Sequence, residues 1–293
     1  MHDQNHHFVP QFLLRQWADP DGRVPHYRWV NGRAVLSRRA PEYIGYEPNL
    51  YAAEHVPPED RHLAERSFFA TIDDRAARIH ARLVKREPFT FTTDERSYWA
   101  IFLAAANART PDKVAGIRRM TEEVLRKQLN ENPEEVERAL GYKLPVSLFE
   151  WAEKNMPHEV ANIWLRNLMK YLTRKDHIQP YMDMVWTVHE PGTRHKEFLI
   201  SDRPLWYFEN PDHPRFTVVM PLSPRVVFIA AKTDALAQKM ARTASMKLVR
   251  LINESMFERA HERVYGRMSL AYATAQFKRS RAFQKRSALE ARQ

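Results

Sequence analysis

The sequence has no cysteine in 293 residues, which excludes disulfides, thiolate zinc sites and cysteine nucleophiles together. Any metal would have to be held by His, Asp or Glu. Glycine is scarce, with seven, and none falls in a Gly-x-x-x-x-Gly-Lys loop, a Gly-x-Gly-x-x-Gly turn or a Gly-x-Ser-x-Gly elbow. P-loop phosphoryl transfer, dinucleotide-dependent redox chemistry and standard serine hydrolysis are therefore not expected. Zinc-finger and helix-turn-helix signatures are missing, and so are His-x-x-x-His and His-Glu-x-x-His spacings. Long apolar runs are missing too: the longest, Trp99 to Ala106, is far short of what ~30 Å of hydrocarbon requires. The polar, histidine-rich start has neither the basic opening nor the apolar core of a secretory signal. A cytoplasmic protein with no membrane partner is the expectation.

What the chain does have is positive charge. A formal net charge of +10 and a pI near 9.8 raise the local concentration of polyanions and speed their capture. Nucleic acid or another phosphate-bearing ligand is the partner class this favours. Much of the excess lies between Gln276 and Arg286; residues 276–293 read as a basic C-terminal tail, for which a solvated segment and a polyanion contact are both open.

The patterning predicts an α+β fold in which N- and C-terminal strands share a mixed or antiparallel sheet around a largely helical middle. Pro10 suits the first turn of a short helix carrying Phe12, Leu13 and Trp17. Val24 to Trp29 and Arg33 to Ser37 flank Asn31-Gly32, a pair that tolerates positive φ and so predicts a hairpin. Glu59 to Arg86 carries the helical period, and Thr92 to Glu95 supplies a cap and acidic first turn for a helix reaching Ala108, with a break at Arg109-Thr110-Pro111. Helical segments follow at 114–130, 133–140, 147–155 and 157–174. Residues 184–188 and 197–200 read as strand, turn, strand around Pro191-Gly192-Thr193, and 217–220 and 225–229 as two strands about Leu222-Ser223-Pro224. Helices are expected at 234–252 and 254–265. With no clear linker, residues 1–275 read as one α+β domain with a helical insertion at about 112–178.

Two adjacent histidines, His6 and His7, open the chain beside Gln11 and Arg15. In an extended segment their side chains point to opposite faces, so different roles are expected: one a general base or metal ligand, the other an orienter or a buried structural imidazole. Asp202 follows the apolar run Phe198-Leu199-Ile200, where a carboxylate can line a cleft and orient an imidazole; Ser201-Asp202-Arg203-Pro204 is equally consistent with an ordinary turn. Asn107 and Arg109 end an apolar helix, and Arg109 offers a fork for phosphate or carboxylate, or else a favourable charge at a helix C-terminus. Glu65 and Asp73, eight apart on one helix, have the character of a divalent-cation pair, although solvated charge explains them more simply.

Taken in order, His6-His7-Phe8-Val9-Pro10-Gln11-Phe12-Leu13-Leu14-Arg15, Asn107-Ala108-Arg109-Thr110-Pro111, Phe198 to Pro204, Pro221-Leu222-Ser223-Pro224, and Asn253 before Ala260 and Arg263 resemble the bacterial domain-of-unknown-function family 4238 over most of the chain, the basic tail excepted. The resemblance implies a shared site and no particular activity. Members often carry Tyr at the position of Phe8 and Asn at that of Arg203, so Arg203 adds a charge here.

These readings lead to a hydrolase acting on a phosphate-bearing substrate, nucleic acid first, with His6, His7 and Asp202 as catalytic groups. Gln11, Arg15, Asn107, Arg109, Ser201 and Arg203 hold the substrate, and the cofactor is open, a divalent metal included. The competing expectation is a non-catalytic module that binds a ligand or partner, of the sort a bacterial defence system would use.

Overall fold

The computed structural model describes residues 3–87, 90–131, 133–192, 197–242 and 245–290, with side chains described up to residue 280 apart from 241 and 245. In chain order the elements are β1 (Asn5–His7), α1 (Gln11–Leu14), β2 (Val24–Val30), β3 (Arg33–Arg39), β4 (Tyr46–Pro48), α2 (Ala70–Val84), α3 (Thr93–Ala108), α4 (Pro111–Glu131), α5 (Pro133–Leu140), α6 (Leu148–Asn155), α7 (Pro157–Thr173), α8 (Lys175–Met182), β5 (Val185–His189), β6 (Ile200–Ser201), β7 (Trp206–Phe208), β8 (Thr217–Pro221), β9 (Val227–Ala231), α9 (Asp234–Ala241), α10 (Ser245–Arg259), β10 (Arg263–Tyr265) and α11 (Leu270–Glu290). This is an α+β protein with a helical middle.

The strands form antiparallel sheets ordered β1-β4, β3-β2-β10-β6 and β5-β9-β8-β7. The second joins the two ends of the chain, because β10 pairs Val264 with Tyr27 of β2 on one side and with Ser201 of β6 on the other. The β2-β3 hairpin closes on Asn31 and Gly32, both at positive φ (47° and 80°), as an Asn-Gly turn requires.

At the centre lies α3, the longest apolar run of the sequence. Thr92 caps it through a reciprocal capping box with Glu95, which satisfies two N-terminal amides. Trp99, Phe102 and Leu103 are wholly buried, as expected of a helix that is apolar on most faces. Trp99 meets Phe228 of β9 edge-on, ring centres 5.6 Å apart, so the helical layer and the β5-β9-β8-β7 sheet share one core.

Four expectations differ from the structure. The helix expected over 234–252 is divided, α9 ending at Ala241 and α10 beginning at Ser245. The segments around Pro191-Gly192 do not form a hairpin: β5 pairs with β9, while β6 pairs with β10 in a different sheet; Thr193 lies outside the described residues. The helix expected through 254–265 stops at Arg259, and Arg263–Tyr265 is a strand, because the Asp202 carboxylate takes the amides of His261, Glu262 and Arg263 at 2.7–2.9 Å. The boundary expected at 275–276 falls inside α11, where Ala273, Phe277 and Ser280 are buried and Phe277 packs against Phe257 and Trp29. Among the described residues, no helix is long and apolar enough to cross a membrane.

The chain start is fastened to the far end by Trp17, whose indole N–H donates to the Phe198 carbonyl at 2.8 Å. Gly266 makes this approach possible: a Cβ there would sit 2.7 Å from Leu199 Cδ2 and 3.1 Å from Trp17 Cδ1, at a φ of +124°. Gly266→Ala is expected to destabilise the protein by roughly 1–3 kcal/mol, read as a lower urea midpoint; an unchanged midpoint would show that Trp17 is not held this way.

Candidate functional site

The two histidines occupy β1, paired with β4 so that His6 faces Glu47 and His7 faces Tyr46 across the ladder. Alternation along the strand separates them as the sequence predicts. His6 is fully buried. Its Nδ1 accepts the Tyr51 amide at 2.8 Å, which places the proton of the neutral ring on Nε2, 3.0 Å from His62 Nδ1. Both ring nitrogens are engaged. Burial, reinforced by the neighbouring His62 and His7 and by Arg61, pulls the His6 pKa down to about 4, so the ring is neutral at pH 7 and locks β1 against the loop after β4.

His7 points the other way: its ring lies edge-on to Tyr46, 5.6 Å between centres, with the Pro41 and Glu42 carbonyls and Arg109 near enough to shift its pKa, and its backbone borders a polar cluster formed by α2, the turn before it and the α3-α4 junction. Its amide donates to Glu65 Oε1 at 3.3 Å. Arg109, fully buried, donates from Nη1 to Asp73 Oδ1 at 2.9 Å, and its carbonyl accepts the Tyr51 hydroxyl at 2.6 Å. Four buried atoms of this cluster have no hydrogen-bond partner among the described residues: His7 Nε2, Glu65 Oε2, and Arg109 Nε and Nη2. In a folded interior such groups are ordinarily paired.

Charge in the cluster is strongly perturbed. Burial pushes the Glu65 carboxyl up to about 7, Arg109 pulling it back and Asp73 adding to the rise. For the Asp73–Arg109 pair, burial disfavours the guanidinium, but Asp73 and its neighbours outweigh this and hold Arg109 firmly protonated. Burial lowers the His7 pKa, the Pro41 carbonyl opposes this, and Arg109 and Arg15 lower it further. At neutral pH the site therefore holds a permanent cation beside its carboxylate, a neutral imidazole and a carboxyl close to half-protonated.

Glu65 reaches this position through a π-helical turn, Ala64–Phe69, that runs into α2. In a regular helix, positions eight apart lie about 80° apart around the axis. The wider π-turn advances fewer degrees per residue, which brings Glu65 toward the Asp73 side. The eight-residue spacing of the two acids was the visible trace of this arrangement. Nothing in the sequence marks the wider turn, or pairs these acids with His7 rather than with solvent.

The other candidates divide. Arg15 is exposed and donates to Gln11 Oε1 at 2.9 Å, close enough to His7 to depress its pKa. Asp202 makes no hydrogen bond or ion pair with either histidine; its oxygens are taken by the three amides that end α10. Ser201 Oγ donates to the Arg203 carbonyl at 2.8 Å and accepts the Arg203 amide at 3.2 Å, closing a local turn. Arg203 pairs with Asp112 at the start of α4. Asn107 is exposed and opens onto a groove on another face of α3. His7, Gln11, Arg15 and Arg109 thus gather near one another, and Asn107, Ser201, Asp202 and Arg203 stand apart. Among the described residues, no group of three His, Asp or Glu side chains is placed to hold a metal ion.

Glu65 makes the folded state sensitive to pH in a definite sense. Between its ordinary value of 4.5 and about 7, the unfolded chain releases this proton while the folded chain keeps it, so Glu65 contributes stability at low pH that is lost as pH rises through about 7. Relative to Glu65→Gln, the wild-type protein should lose on the order of 3 kcal/mol between pH 4.5 and 8; parallel urea midpoints for the two proteins across that range would contradict a protonated, buried Glu65.

No curated protein and no solved structure matches the chain. The family model described as protein of unknown function (DUF4238) matches residues 5–269 of 293, a span that contains the histidine strand, both acids of α2 and its preceding turn, and Arg109. The chain belongs to the DUF4238 family.

Proposed function

We propose that the His7, Glu65, Asp73 and Arg109 cluster is a hydrolytic centre acting on a phosphate-bearing substrate, nucleic acid being the first class to test. The observation that carries this reading is the set of four buried polar atoms, on His7, Glu65 and Arg109, without partners among the described residues. Burying them costs about 1–3 kcal/mol per unsatisfied group, a cost expected where a bound molecule completes the hydrogen bonding. The net charge of +10 supports an anionic substrate, and Arg15 is exposed and close to His7.

In this reading each group has one task. His7, neutral at pH 7, takes a proton from the attacking water at Nε2 as the water oxygen bonds to phosphorus. Glu65, in its protonated form, gives its proton to the departing oxygen as the phosphorus–oxygen bond breaks. Arg109 stabilises the charge that develops on the phosphoryl oxygens, and Asp73 keeps the guanidinium in place. Asp202 has a structural role, in ending α10.

The test is cleavage of single- and double-stranded DNA and RNA, with and without added divalent cation. Activity should decline as pH rises above about 7, where Glu65 ionises. His7→Ala and Glu65→Gln should each lower kcat by ~10²–10⁴-fold, whereas Arg15→Gln should mainly raise KM. Full activity in both His7→Ala and Glu65→Gln would overturn the assignment. Salt-dependent binding that never yields cleavage would instead make the protein a binding module.

A further inference from the structure

Between α3, α4, α7 and α8 runs a groove of about 570 Å³, separate from the His7 cluster. One wall is a stripe along α4: Lys113, Ile117, Met120, Val124 and Gln128 recur at helical spacing and so share a face. Asn107 and Tyr171 contribute from the neighbouring helices. Met120, Val124 and Tyr171 are 60%, 49% and 49% exposed, an apolar surface that a solitary soluble protein has reason to cover.

The polar groups define what covers it. No lining residue is acidic, and Lys113 makes no ion pair among the described residues. Lys113 also lies in the first turn of α4, where the helix dipole favours negative charge. The side chains of Asn107, Gln128 and Asn167 likewise make no hydrogen bond within the described chain. Size selects among anionic apolar occupants. From Lys113 to Gln128 the stripe is about 22 Å long, and the volume falls within the ~300–1,000 Å³ of small-molecule sites.

We propose that this groove binds a small apolar carboxylic acid, its carboxylate at Lys113 and its hydrocarbon along Ile117, Met120 and Val124. This assignment does not depend on the hydrolytic reading of the His7 cluster.

The test uses decanoate, decanol and decylamine as probes of the full-length protein, with affinities from calorimetry and the site located by amide chemical shifts. Decanoate should bind at one site that shifts α4 and α7 amides. Lys113→Gln should weaken decanoate at least tenfold and change decanol less than twofold, and Met120→Glu, at an exposed position that leaves the core intact, should weaken both. Thermal unfolding checks that each variant is folded. The proposal is overturned if folded wild-type protein does not bind decanoate, if decylamine binds as tightly as decanoate, if Lys113→Gln binds decanoate like wild type, or if only an acidic amphipathic peptide occupies the groove.

Discussion

A guanidinium with no exposed surface constrains everything around the chain start. Arg109 ends α3, and keeping its charge in the interior requires the Asp73 carboxylate on one side and the Tyr51 hydroxyl on its carbonyl. A buried ion pair of this kind contributes little net stability, since desolvation offsets most of the attraction, but removing one partner costs about 3–5 kcal/mol. Its consequence is geometric. Asp73 fixes the rotation of α2, Tyr51 fixes the loop after β4, and that loop in turn presents the amide that orients His6. The charged pair, the strand and the helix are therefore placed together.

The motifs legible in the sequence fall into two physical classes. Asp202, Ser201 and Asn253 satisfy backbone: Asp202 stops α10 with three amides, Ser201 closes a turn, and Asn253 bonds the Leu199 amide and the Glu197 carbonyl at 2.8 and 2.9 Å. His7, Glu65 and Arg109 retain unsatisfied atoms. A motif does not separate these classes, because a polar side chain at a strand end looks the same whether it serves an amide or a ligand. Partners separate them only in part, since Arg203 and Arg263 of the same motifs also bury an Nε that has no partner among the described residues.

Local structure was legible where the signal was local. The Asn31-Gly32 turn, the Thr92 cap and the break before Pro111 each rest on the chemistry of a few adjacent residues. Strand partners were not, since β5 and β6 are near in sequence and belong to different sheets, and the choice is made by contacts with β9, about forty residues away, and β10, more than sixty away. The same holds for the site. That His6 and His7 would differ followed from strand alternation, but that His7 would lie beside Arg109 and its acids followed from long-range packing. The basic run after 275 was misleading in a related way: Ala273 and Phe277, four apart, carry a packing face that its charges obscure.

The π-helical turn before α2 has a bearing on how this architecture can change. Such a turn is topologically a one-residue insertion accommodated inside a helix, with the surplus residue stored rather than looped out. Relaxing Ala64–Phe69 into regular α-geometry would send that surplus back into the preceding loop and swing Glu65 around the axis, while Asp73, anchored by Arg109, stayed where it is. The spacing between the two acids is thus tied to the register at one end of a helix, where Ala64 and Phe69 are themselves part of the core.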